Sequence, residues 1–377
     1  MAPDLVTLVS GLVAIDSVNP SLVPGGAGES GIARFVADWA VDAGLEAEVL
    51  ESTPGRPSVV VRAPGTGGGL TLLLCGHYDT VNVEGMTDPH APRIDGDRLY
   101  GRGAYDMKAG LAAALVACRA AAALRLAGDV IVACVADEEH SSIGVQDVLA
   151  SITADAAIVT EPTEVQLIVA HRGFVWSEVE VTGRAAHGSR PHLGVDAIAK
   201  MGTILTAIGE LDARFDPAAH PLLSRASVHA ALIDGGEEFS SYPARCVVGL
   251  ERRTLPGETV DAIEVELDAL LDRCRTVDPD LVVERRTLLV RDPFEISAES
   301  ELATVVSEAA ASILGEAPVI SGASYWADAA FIAAAGIPTV LLGPGGEGAH
   351  AIEEWVSVSD TDAVARILLA VVERFCA

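Results

Sequence analysis

Two textures of hydrophobic and polar positions alternate along the chain. In the first, short apolar or β-branched runs at 58–62, 70–75, 129–135 and 156–160 alternate with Ala-rich helical patterns at 30–43, 107–124 and 143–150. Continuous apolar runs suit strands buried on both faces, and their alternation with helices predicts an α/β domain around a largely parallel sheet. The stretch at 63–69, APGTGGG, reads as a turn between strands. Near residue 172 the texture changes. Segments 174–181 and 227–233 alternate apolar with polar residues, as half-exposed strands do, and 246–252 and 281–290 also read as strands. Amphipathic helices are expected at 195–215 and 259–275. The order strand, helix, strand, strand, helix, strand predicts a separate α+β unit of the ferredoxin-like type. From about residue 298 the first texture returns, with helices expected at 301–314, 328–335 and 361–375 and a strand at 339–342. The reading is therefore an α/β domain in two parts, 1–173 and 291–377, interrupted by an inserted domain at 174–290.

The length, 377 residues, agrees with two domains, and a hydrophobic share of 50% suffices for a large core. Charge narrows the partners. Asp and Glu number 54 against 25 Lys and Arg, a formal net charge of −29, which repels phosphate backbones and anionic lipid. Neither nucleic acid nor membrane is expected as a partner. The longest apolar stretch, 109–127, is interrupted by Arg119 and Arg125, and the N-terminal residues lack the basic stretch of a signal peptide. Six scattered cysteines without CxxC spacing read as small buried hydrophobes, which fits a cytoplasmic protein better than a disulfide framework.

Candidate chemistry lies where the strands of the first texture are expected to end. The segment LLLCGHYDTV (72–81) sets His77 and Asp79 two residues apart, on one side of an extended chain. GRGAYDMK (101–108) puts Asp106 at the mouth of a helix, where the dipole favours an anion. VIVACVADEEH (130–140) carries Glu138 and Glu139, IVTEPT (158–163) carries Glu161, and LGPGGEGAH (342–350) ends on His350. Open α/β sheets bind ligands outside the carboxyl ends of their strands, so all five segments should converge. Two imidazoles with several carboxylates and no thiolate suit zinc, cobalt or manganese, and the charge of the cluster calls for two ions.

In this order the segments resemble the signature of the M20 metallopeptidase and deacylase family, above all its acetylornithine-deacetylase-type branch. The resemblance implies a zinc-dependent exopeptidase-like α/β catalytic domain with an inserted ferredoxin-like lid and dimerisation domain, and hence a homodimer. It implies two Zn2+ ions, with Co2+ or Mn2+ as substitutes. His77 and His350 would be terminal ligands of one ion each, Asp106 would bridge both, Glu161 would complete the His77 site and Glu139 the His350 site. Asp79 would orient the His77 ring, and Glu138 would be the general base. GRAAHGSRP (183–191) resembles the family segment carrying an oxyanion-stabilising histidine, here His187, which can act in cis or in trans. ERRTLPGE (251–258) places Arg253 at the position of the arginine that binds the substrate carboxylate, with Arg252 as the alternative. Two positions depart from the pattern. Ser240 in FSSYPARC stands where many members have Asn, and Ala330 in SYWADAAF stands where the succinyl-diaminopimelate branch has Arg.

The expected activity is hydrolysis of the amide of a small N-acyl-L-amino acid, with a carboxypeptidase or dipeptidase acting on short peptides as the nearest rival. A non-catalytic metal or amino-acid binding derivative is the rival of another class, and Glu138 beside a full ligand set counts against it.

Overall fold

The computed structural model of the chain describes residues 2–377. It divides into two compact units: 1–169 with 296–321 and 327–377, and 170–295 with 322–326.

The first unit is built on a mixed sheet whose strands lie in the order Glu46–Leu50, Ser58–Ala63, Val130–Val135, Leu72–His77, Ala156–Val159, Thr339–Leu341 and Leu167–His171. The four central strands, from Val130–Val135 to Thr339–Leu341, are mutually parallel, while the neighbours at either margin run antiparallel. The parallel character predicted from the apolar runs thus belongs to the centre of the sheet. Every residue of Leu72–His77 and Val130–Val135 is buried, which is why these segments show no period-2 alternation. Helix Ala109–Ala122 packs on the sheet and against Val358–Phe375 and Ala2–Val13, sharing one core with them.

Two glycines set how closely the chain approaches the ends of these strands. A Cβ on Gly110, in the first turn of Ala109–Ala122, would lie 1.9 Å from the Thr160 carbonyl oxygen, and one on Gly343 would lie 2.0 Å from that of Glu161. Only glycine lets helix and loop press against 160–161.

The second unit has four antiparallel strands in the order Ser227–Gly235, Arg245–Thr254, Gly173–Thr182, Val282–Arg291, with helices Ala197–Asp212 and Val260–Val277. In chain order this is the strand–helix–strand–strand–helix–strand plan of a ferredoxin-like fold. Val175, Val179 and Val181 alternate with less buried positions and pack with Val248, Leu250, Ile204, Ile208 and Leu267. The helices start on side-chain caps, Asp196 accepting from the Ala199 N–H and Thr259 from that of Ala262. Among the described residues no helix is long and apolar enough to cross a membrane.

Candidate metal centre

Strand Leu72–His77 ends on His77, and the imidazole is buried. Its Nε2 lies 3.1 Å from Asp106 Oδ1, 3.8 Å from Glu161 Oε1 and 3.9 Å from Glu138 Oε2. The Nε2 of His350 lies 3.3 Å from the other Asp106 oxygen, Oδ2, and 3.2 Å from Glu139 Oε2. The Asp106 carboxylate therefore stands between two imidazoles, one on each oxygen. Two groups offer ligand atoms mutually within 4.8 Å, His77–Glu138–Glu161 and His77–Asp106–Glu139. Parallel strands carry these side chains to one edge, since His77, Glu138, Glu139 and Glu161 all lie at or just beyond carboxyl ends.

Hydrogen bonds fix the orientation of each donor. The His77 Nδ1 lies 3.0 Å from the Asp79 carbonyl oxygen and 3.6 Å from its Oδ1, which directs Nε2 towards the cluster. The buried Asp79 carboxylate also accepts the Glu138 N–H at 3.1 Å and the Glu139 N–H at 3.3 Å, so one side chain aligns the histidine and the two glutamates. Asn19 Nδ2 donates to Asp79 at 2.8 Å and to Asp137 at 3.0 Å, and Asp137 accepts from Arg56, itself paired with buried Glu29. On the other side, the Glu354 carboxylate accepts the N–H groups of Gly103, Tyr105 and Asp106 and is paired with Arg102 at 2.7 Å, which fixes the turn carrying Asp106.

None of Asn19, Arg56, Asp137, Arg102 and Glu354 stands out in the sequence. The only local sign is the second glutamate of the AIEEW segment four residues after His350. The partners of Asn19 lie 60 and 118 residues away in the chain.

Electrostatics point the same way. Burial raises the carboxyl pKa of Glu138 and Glu161 well above the ordinary value, and neighbouring acids add to this. Glu139 is raised by burial and by Asp106. His350, held by Asp106 and Glu139, is pushed up to about 10; His77 is also raised, the pull of Asp106 and Asp79 outweighing its burial. So many carboxylates buried together need positive charge beside them. Divalent cations supply that charge, and a nitrogen–oxygen donor set with no thiolate suits zinc, cobalt or manganese.

The remaining predicted residues lie in the second unit. His187, in the short strand Ala186–His187, is exposed; its Nδ1 accepts the Ser189 N–H at 3.2 Å, which leaves Nε2 as the protonated nitrogen of the neutral ring. Arg252 is buried, bonded to Glu258 and Glu266 and stacked over Phe215, and so serves the interior. Arg253, one position on, sits on the opposite face at partial exposure, its Nε 2.8 Å from Glu251. Of the two arginines that the sequence leaves open, Arg253 is partly exposed and Arg252 is buried.

Comparison with known proteins places this arrangement. The acetylornithine deacetylase of Proteus mirabilis (strain HI4320) is 29% identical over 99% of this chain and 97% of its own. The crystal structure of aminopeptidase PepT from Bacillus cereus superposes with a TM-score of 0.81 at 21% identity, covering 100% of this chain and 99% of that one. The Bacillus subtilis YXEP protein, described as a dinuclear metal binding peptidase from the M20 family, gives 0.77 at 15% identity, covering 100% and 99%. The family model for peptidase family M20/M25/M40 matches residues 73–374, far more than half of the chain. The chain thus belongs to peptidase family M20/M25/M40 and is a metal-dependent hydrolase of amide bonds.

Proposed function

We propose that the protein is a two-zinc amidohydrolase that removes a short acyl group, acetyl or similar, from an N-acyl-L-amino acid. The observation that carries the reading is Asp106, whose two oxygens reach two imidazoles at 3.1 and 3.3 Å, each imidazole having a further carboxylate of its own, Glu161 for His77 and Glu139 for His350. These five residues would hold two ions. Two such cations would act as Lewis acids, making a bound water more acidic and a substrate carbonyl more electrophilic. Glu138, raised in pKa by its burial, takes the proton of the attacking water and passes it to the leaving nitrogen. Asp79 keeps the His77 ring and the backbone of Glu138 in place. His187, with its proton on Nε2, donates to the oxyanion, and Arg253 grips the α-carboxylate with its guanidinium fork.

A second copy of the chain is the partner we assign to strand Ser227–Gly235. This strand forms an edge of its sheet and carries Leu232 and Ile233 at 75% and 61% exposure, so an antiparallel copy would both extend the sheet and cover them. We place the protein in the cytoplasm, where six free, buried cysteines stay reduced.

Two measurements test the reading. Elemental analysis of protein purified without chelator should give close to two transition-metal equivalents per chain. A screen of N-acetyl amino acids and dipeptides, following free amine, should show release from the N-acetyl compounds; cleavage of dipeptides alone would overturn the deacylase assignment.

A further inference from the structure

Asp79 aligns His77, Glu138 and Glu139 from one side of the cluster. The other three residues, Asp106, Glu161 and His350, come from segments far apart in the chain, and one carboxylate ties those segments together. Glu164 lies three residues after Glu161, in the turn that follows strand Ala156–Val159. Its Oε1 accepts the Tyr105 hydroxyl at 2.6 Å and the Gly346 N–H at 3.3 Å. Tyr105 adjoins Asp106, and Gly346 stands four residues before His350. The Gly346 backbone also packs on the Tyr105 ring, closely enough that a Cβ there would lie 2.6 Å from it.

The turn itself is strained. Glu164 and Val165 both adopt positive φ, 55° and 56°, a conformation that is uncommon for non-glycine residues and an outlier for a β-branched one. Such a backbone persists only where its surroundings fix it. Here the Thr163 hydroxyl accepts the Gly343 N–H at 2.9 Å, and the Val165 N–H donates to the Gly343 carbonyl oxygen at 3.0 Å, which joins the turn to the loop leading to His350. From that backbone the Glu164 side chain reaches Tyr105 and Gly346 with a single oxygen. Glu164 is exposed, so these bonds add little to stability. Donor placement is another matter, because a metal site needs its ligands held to within about 0.5 Å.

We infer that Glu164 is a positioning residue of the metal centre: it sets the spacing of the segments that carry Asp106, Glu161 and His350, as Asp79 sets that of His77, Glu138 and Glu139. The inference rests on the reading above that these residues hold two ions. The His350 side chain is 56% exposed, so its place depends less on packing than on the loop behind it, which the Gly346 hydrogen bond holds. Loss of Glu164 therefore loosens one ion of the two while the fold stands. Because Oε1 alone makes both contacts, the amide oxygen of a glutamine can replace it. The effect belongs to the hydrogen bonds and not to the charge.

The test titrates the full chain, stripped of metal, with Zn2+ in competition with a chromophoric chelator, so that no turnover is needed. Wild type should take up two equivalents. In Glu164→Ala the weaker-bound equivalent should lose about ten- to a hundredfold in affinity, as loss of a group that orients metal ligands predicts, while Tm of the metal-free protein falls by less than about 3 °C. Glu164→Gln should stay within about threefold of wild type, since it keeps the acceptor. Tyr105→Phe should cost a smaller factor, and nothing more when added to Glu164→Ala, because the hydroxyl then has no bond left to lose. Glu347→Ala, which removes an exposed carboxylate from the same loop, should leave both equivalents unchanged. Unchanged zinc affinities in Glu164→Ala, a Glu164→Gln variant as weak as Glu164→Ala, or a larger fall in the metal-free Tm would overturn the inference. Any of these beside a wild type that takes up two equivalents faults only the role of Glu164, whereas a wild type that takes up fewer faults the two-ion centre and this role with it.

Discussion

Replacing Glu354 by Gln probes how the turn that carries Asp106 is held. The Glu354 carboxylate is 1% exposed and accepts four hydrogen bonds. Oε1 takes the N–H groups of Tyr105 at 2.9 Å and Asp106 at 3.1 Å; Oε2 takes the Gly103 N–H at 3.0 Å and Arg102 Nη1 at 2.7 Å. An amide can serve only one of these pairs. With its oxygen towards Tyr105 and Asp106, its NH2 faces two donors, and Arg102, 3% exposed, loses its counter-charge. Removing one partner of a buried ion pair costs about 3–5 kcal/mol. At roughly 2–4 °C per kcal/mol for a domain of this size, Tm should fall by roughly 6–20 °C. The assay is thermal and urea unfolding of the variant, with metal content measured on the same samples. Glu353→Gln is the control, because Glu353 is exposed and should shift stability by no more than about 0.5 kcal/mol. Adding Arg102→Met to Glu354→Gln should recover part of the loss, since no unpaired charge then stays buried while the amide oxygen still accepts backbone N–H groups. A Glu354→Gln variant within about 1 kcal/mol of wild type would refute the claim that this carboxylate organises the turn.

Glu138→Gln should keep metal and stability while kcat falls by about two to four orders of magnitude, whereas Glu139→Gln should lose metal together with rate; the two phenotypes exchanged would reverse the assignment. Burial holds the Lys108 ammonium down to about 8 from 10.5, so between those values the unfolded chain binds more protons and folding stability rises with pH. Relative to Lys108→Met, wild type should gain up to about 1.4 kcal/mol per pH unit there, and a difference that stays flat between pH 8 and 10 would contradict this. Burial raises the thiols of Cys118 to about 12 and Cys376 to about 11, and all six cysteines are buried, so a thiol reagent at neutral pH should find no fast-reacting group until denaturant is added. A thiol that reacts at once in native protein would mean a more open core.

The parts of the fold legible in the sequence are those in which one physical constraint acts on consecutive residues. Leu72–His77 must be apolar on both faces, and Gly173–Thr182 must alternate, so both can be read from pattern alone. Leu167–His171 is also a continuous buried run, but at five residues it lies where the texture changes, and the first unit ends inside it, after Val169. The candidate ligands His77, Glu139 and Glu161 are legible because each ends or closely follows such a strand. The groups that align them are not. Asn19 lies in a turn-like VNPS segment and Arg56 in GRPS; Asn19 acquires its role only when distant strands bring Asp79 and Asp137 beside it, and Arg56 only when Asp137 and Glu29 meet it. Neither periodicity nor spacing encodes a hydrogen bond across 118 residues.

The same distinction explains why net charge misleads when taken over the whole chain. An excess of 29 negative charges makes any one acidic triplet unremarkable, and Asp137, Glu138 and Glu139 look like solvated surface. Folding separates them into three functions. Asp137 turns inward to Arg56 and Asn19; Glu139 faces His350; Glu138 lies nearest the His77–Glu161 pair. What divides the three is the turn after Val135, where Asp137 adopts a positive φ of 67° and the following N–H groups of Glu138 and Glu139 both reach Asp79. A residue with a short polar side chain tolerates that backbone better than most, which gives Asp at 137 a conformational reason in addition to its charge. Backbone geometry at one residue thus decides which of three adjacent carboxylates turns to Arg56 and which two face the His77–His350 cluster.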